Sequence, residues 1–156
     1  MYLDRMSRRS RNVLLILATI LIVIQFIPIP KTNPPVTGEI SAPEPVMAVF
    51  QRSCYDCHSN RTVWPWYSRL APASWLLYRD VTGGRRAMNF SEWQQMPALR
   101  QNRRRKGVWT EVQGSDMPPW FYRPLHPSGK LSDADKAILK AWSDAGPAVP
   151  MQKAGP

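Results

Sequence analysis

Both cysteines of the chain fall in one pentapeptide, Cys54-Tyr55-Asp56-Cys57-His58, and one of its two histidines closes that pentapeptide. Two thiols and an imidazole in this order support four kinds of chemistry. A thiol-disulfide redox pair would need a strand running into a helix within a βαβ unit, and no such context is visible. A zinc site would need a distant fourth ligand such as His126, at a spacing unlike the common ones. A plain structural disulfide is the third possibility. The fourth accounts for every residue type present, because C-x-x-C-H is the attachment spacing for c-type haem. Thiols three positions apart at a helical end reach two vinyl groups of one porphyrin, and the next residue sets an imidazole under the iron. His58 is then the expected proximal ligand through one ring nitrogen, the other requiring a hydrogen-bond acceptor.

Iron held in this way usually takes Met or His on its opposite face. The chain offers His126 and the methionines 47, 88, 96, 117 and 151. Met117 stands in GSDMPPW (114–120), where Gly114 closes a helical pattern and Pro118-Pro119 stiffen the backbone just after the thioether. A side chain held on such a backbone need not lose much entropy on binding. Met117 is the expected distal ligand; His126, Met96 and an open or water-bound position are the alternatives. His126, in LHPSG (125–129), reads as a turn cap or a partner for a haem propionate. Met47 and Met88 read as packing.

The elements that must position these residues begin with an apolar stretch. Residues 1–12 carry Arg5, Arg8, Arg9 and Arg11 against Asp4, and from Val13 to Ile27 there is no charge. Such a run spans roughly 22 Å as a helix, short of a ~30 Å hydrocarbon core by an amount that flanking residues or local thinning absorb. Prolines 28, 30, 34 and 35 follow instead of a small-residue cleavage site, so an uncleaved signal-anchor over 13–29 is expected. The arginines keep 1–12 on the cytoplasmic side as a stub and the rest is exported, which predicts a single-pass inner-membrane protein facing the periplasm.

Charge then reads differently. The chain has 21 Lys+Arg, 11 Asp+Glu and a net charge of +10, and the part beyond Pro30 holds 17 basic and 10 acidic residues. The basic clusters Arg85-Arg86 and Arg103 to Lys106 face away from the cytoplasm, which argues against nucleic acid as a partner. A wholly disordered chain is excluded by 44% apolar residues.

Residues 30–44 read as a stiff Pro-rich linker, 45–146 as one folded domain, and 147–156 as a tail. Four helices are expected: Glu44 to about Cys57; about Ala73–Thr82, closed by Gly83-Gly84; a third starting at an N-cap Ser91 and kinked or split by Pro97, its second half about Ala98–Val112; and a fourth capped by Ser132 with Asp135 in the box position, ended by Gly146-Pro147. No segment shows a good strand period, so the domain is expected to be all-α with long Pro- and Trp-rich loops. Tryptophans and tyrosines crowd TVWPWYS (62–68) and MPPWFYRP (117–124). They either pack on the helices or wrap a large flat apolar object.

The stretches CYDCHSNRTVWPWYSRLAPASW (54–75), DVTGGRRAMNFSEW (80–93), DMPPWFYRPLHPSGKLS (116–132) and LKAW (139–142) together resemble the bacterial haem-binding domain family. These are small exported proteins related in layout to class I c-type cytochromes. The resemblance covers essentially the whole folded domain. It implies a helix leading into the C-x-x-C-H motif and a C-terminal helix packed across it. It also implies covalent haem c on Cys54 and Cys57, with His58 proximal and Met117 distal. The section 94–113, with Pro97 and its basic run, departs from the pattern and puts the third helix in doubt.

These readings combine into one expectation: a membrane-tethered electron carrier, more a conductor than a catalyst, with a redox partner protein in or near the same membrane and no small-molecule substrate. Ligation by Met117 and burial by Trp64, Trp66, Trp75 and Trp120 would raise the haem potential. The rival reading is a peroxidase-like or gas-binding haem protein with an open sixth position.

Overall fold

Six α-helices and four short 3₁₀ turns make up the computed structural model, which describes residues 7–146, and no strand occurs among the described residues. The all-α expectation is therefore met. The chain packs as two units. Among the described residues, one takes 7–32 together with Trp64–Asp80, and the other takes Asn33–Val63 and 81–146.

In the first unit, α1 (Arg8–Val23) continues as a 3₁₀ turn, Ile24–Phe26. Ser7 caps it by accepting from the Ser10 amide at 3.2 Å, and the Thr19 hydroxyl is satisfied by the Leu15 carbonyl at 2.9 Å. No α1 side chain is buried. The 19 residues Arg8–Phe26 form a helix long and apolar enough to cross a membrane. The helix starts earlier than the apolar run because its arginine flank is helical too. Part of the stub, including Asp4 and Arg5, lies outside the described residues, as does the tail 147–156.

The second unit holds the core. Phe50, Phe90 and Leu139 are fully buried, with Val46, Val49, Tyr55, Trp93, Val112 and Trp142 around them. Phe50 stacks on Phe90 with ring centroids 4.5 Å apart and meets the Trp142 edge at 5.0 Å. Offset and edge-on contacts of this kind add to the area term of burial.

Several helix boundaries differ from expectation, each for a physical reason. The helix expected from Glu44 to Cys57 breaks: α2 is Glu44–Ser53, Cys54 leaves helical geometry at φ −128°, and α3 is the single turn Tyr55–His58. Gly83-Gly84 do not end their helix, and α4 runs Ala73–Ala87. Two glycines cost a helix interior about 1 kcal/mol each, which neighbouring contacts can offset. Pro97 splits the third element into a 3₁₀ turn, Phe90–Gln95, and α5, Ala98–Gln113. The cap of that turn is Asn89 rather than Ser91: its side chain accepts from the Ser91 amide at 3.0 Å. The last helix, α6 (Asp133–Asp144), has the expected Ser132–Asp135 capping box. Gly146 follows it at φ +70°, a left-handed conformation that glycine adopts without strain.

The linker expectation needs a correction. The amides of Thr37 and Gly38 both donate to the Ser91 carbonyl, at 3.0 and 2.9 Å, and the Ile40 amide donates to Phe90 at 2.8 Å. Ile40 is 3% exposed and sits in the core. Residues 36–42 hold no proline, so their amides are free to pair, and this part of the supposed linker 30–44 is domain.

Candidate haem-ligating site

Cys54, Cys57 and His58 are brought together by one helical turn. The amides of Cys57 and His58 donate to the Cys54 carbonyl at 3.2 and 2.9 Å. The two thiols are not joined as a disulfide. Burial first, and then the neighbouring Cys57, push the Cys54 thiol up to about 12 against the pull of Arg52.

His58 has a defined tautomer. Its Nδ1 lies 3.1 Å from the Met88 carbonyl oxygen. A carbonyl only accepts, so Nδ1 carries the proton and Nε2 of the neutral ring keeps its lone pair. Burial lowers the His58 pKa, with hydrogen bonds to the Met88 and Gly84 carbonyls and the field of Glu111 opposing it. The ring is thus in its metal-ligating form.

Gly84 explains why α4 tolerates a glycine pair. A Cβ on Gly84 would sit 2.5 Å from the Cys57 carbonyl oxygen, whereas one on Gly83 would meet nothing within 4 Å. The bare backbone of α4 lets the C-x-x-C-H turn lie directly against it. The residues after the turn are locked by a polar network. Asn60 donates from its side chain to the Pro35 carbonyl at 2.8 Å, and accepts from Asn89 at 2.9 Å. Arg85 donates to the Ser59 carbonyl and to the Thr62 hydroxyl, each at 2.8 Å. Arg85 therefore braces the segment that follows the motif.

Met117 hangs from the end of α5. Its amide and that of Asp116 donate to the Glu111 carbonyl at 3.2 and 3.0 Å. Glu111 is the same residue whose carboxylate acts on His58. Met117 is 37% exposed, and Trp120, Phe121 and Leu125 on the same loop also present apolar surface. That loop is tied back to the motif: the Tyr122 hydroxyl donates to the Asp56 carboxylate at 3.0 Å. Asp56 also accepts from the Val63 amide at 3.1 Å.

Sequence reasoning did not pick out Asp56 or Tyr122. The first occupies a freely variable position of C-x-x-C-H, and nothing local marks the second. His126 stacks flat on Tyr122 with centroids 3.9 Å apart, which gives it a packing role. Met96 lines an open cleft of about 520 Å³ with Arg86, Met88 and Arg100, and His58 is not among the lining residues. The tryptophans divide: Trp93 and Trp142 are core, while Trp66 and Trp120, in the two aromatic loops, are 72% and 74% exposed. Arg105 in the basic run stacks its guanidinium over Trp142 at 4.5 Å, so that run is not wholly a solvated face.

The donor set fits a haem: a neutral imidazole with a fixed tautomer, two unbridged cysteines beside it, and an apolar loop bearing a thioether. The model of the haem-binding domain family matches residues 19–145, and the chain belongs to that family. No curated protein and no solved structure matches it. The family supports haem as the cofactor.

Proposed function

We propose that this chain is a c-type cytochrome-like electron carrier, anchored in the bacterial inner membrane by α1 with its haem domain in the periplasm. Thioether bonds from Cys54 and Cys57 would hold the haem, with His58 Nε2 as the proximal iron ligand and Met117 as the distal one. The observation that carries this reading is the 3.1 Å contact of His58 Nδ1 with the Met88 carbonyl, which leaves Nε2 for a metal beside two thiols that are not joined as a disulfide. When bound, haem supplies one-electron exchange between ferric and ferrous iron. The protein holds that chemistry in place and transforms no substrate. Met117 as a thioether ligand would favour the ferrous state. Trp120, Phe121 and Leu125 supply apolar area suited to a porphyrin face. A thiol-exchange role is disfavoured by the Cys54 thiol being held near 12, since such enzymes need a thiolate near neutral pH. The tether suits a redox partner protein in or near the same membrane, whose effective concentration it raises.

The test is expression in cells that mature c-type haem. Haem should stay on the chain through denaturing electrophoresis and be lost in Cys54→Ser/Cys57→Ser. Met117→Ala should abolish the long-wavelength methionine–iron band and lower the potential, while His126→Ala leaves both unchanged. Haem retained by the double serine variant would sink covalent attachment. Rapid cyanide binding by the wild-type protein would replace the electron carrier with an open-site haem protein.

A further inference from the structure

The 3₁₀ turn that closes the apolar N-terminal helix holds a polar side chain with an unusual set of partners. The Gln25 amide nitrogen donates to the Leu21 carbonyl at 2.9 Å and to the Ala71 carbonyl at 3.0 Å, and its oxygen accepts from the Ala71 amide at 2.9 Å. This two-way clasp pins the loop 64–72 to the end of the apolar helix, and both belong to the same unit. At 1.5 Å per residue, Gln25 lies about 26 Å along the helix from Arg8, close to the thickness of a hydrocarbon core. With Arg8 and Arg9 at one headgroup level, Gln25 falls at the opposite boundary. Its amide would be costly there without partners, and the clasp provides them.

What the clasp holds at that level is apolar and uncovered. Trp66 is 72% exposed, Leu70 50% and Leu76 43%, and Trp66 sits edge-on to Tyr67 at 5.8 Å. Arg69 stands exposed beside them. Tryptophan and tyrosine flanked by arginine is the composition favoured at a lipid–water interface.

We propose that residues 66–76 form a second membrane contact: Trp66, Leu70 and Leu76 dip into the headgroup–acyl boundary of the bilayer that α1 crosses, held there by Gln25. The occupant is lipid rather than protein because the segment is fastened through Ala71 to the end of α1, no side chain of which is buried. The proposal rests on reading α1 as a membrane span.

A photo-crosslinking residue, p-benzoylphenylalanine, placed in the full chain in native membranes tests both readings separately. It replaces Leu17 in mid-helix, Leu70 in the loop, or Leu99, which is 74% exposed on α5. Lipid adducts are expected at 17 and 70 and not at 99. Gln25→Ala should reduce the adduct at 70 several-fold and leave that at 17 unchanged. Adducts at 17 with none at 70, a protein adduct at 70, adducts at all three positions, or an adduct at 70 indifferent to Gln25→Ala would each overturn the proposal while α1 stands. No lipid adduct at 17 would overturn the span itself. Should the Leu70 variant fail to accumulate, the probe at Trp66 gives the same readout.

Discussion

Gly83 and Gly84 are neighbours in α4 with opposite demands. Alanine at 84 would push a Cβ to 2.5 Å from the Cys57 carbonyl oxygen, a backbone atom that cannot swing aside. Gly84→Ala should therefore lower stability by about 1–3 kcal/mol and, on the proposed ligation, reduce haem loading, because the turn carrying Cys57 and His58 must move. Gly83→Ala meets nothing and should raise stability by up to about 1 kcal/mol, by removing a glycine from a helix interior. Thermal melts of the pair, with haem content measured by absorbance, check both signs. From the sequence the pair read as a helix end, because local propensity contains no information about a carbonyl packing in from elsewhere. That Cys54, Cys57 and His58 share one turn was legible, since it follows from their spacing. The partners of the site were not: a backbone carbonyl from Met88 on His58, and the Tyr122 hydroxyl on Asp56, 66 positions away, carry no local signature.

Helix α6 shows how far an element can be read locally. Ser132 accepts from the Asp135 amide at 3.1 Å and the Asp135 carboxylate accepts from the Ser132 amide at 2.8 Å, the reciprocal cap that the sequence spelled out. What the sequence could not show is that Arg52 of α2 also reaches Asp135, at 2.7 Å. Burial pushes the Asp135 carboxyl up, but hydrogen bonds from Arg52 and Ser132 outweigh it, and the net shift is downward. A carboxylate depressed in the folded state contributes stability that is fully present above its unfolded value of about 4 and is lost as the pH falls through the folded value. Asp135→Asn should therefore cost about 1 kcal/mol at pH 7, in the range of a lost cap, and the penalty should shrink at a pH well below the usual carboxylate range. Denaturant titrations of both proteins at the two pH values read this directly. A penalty independent of pH would mean that the charge plays no part. The α2–α3 break at Cys54 and the split at Pro97 teach a related lesson: the proline was visible, whereas the break at Cys54 follows from packing the turn against α4.

At the scale of the whole molecule, the proposed membrane attachment has two candidate forces. A net charge of +10 draws the chain to anionic surfaces, and α1 offers an apolar helix of spanning length. Electrostatic attachment is screened within about 3 Å at 1 M salt, whereas a span is not. The full chain should stay with membranes through high salt and alkaline washing and leave only in detergent; release by salt alone would favour surface attachment. The amino-acid sequence by itself determined the fold class, the apolar N-terminal helix, the capping of α6 and the likeness to a haem-binding domain. Each of these is written in nearest-neighbour chemistry: hydrophobic period, cap residues, thiol spacing. Only the tertiary structure decided which nitrogen of His58 carries the proton, why Gly84 must be glycine, that Ile40 belongs to the core, and that Gln25 grips the loop at Ala71. These depend on backbone groups meeting across tens of residues, and a backbone carbonyl or amide looks the same in every sequence until the fold places it.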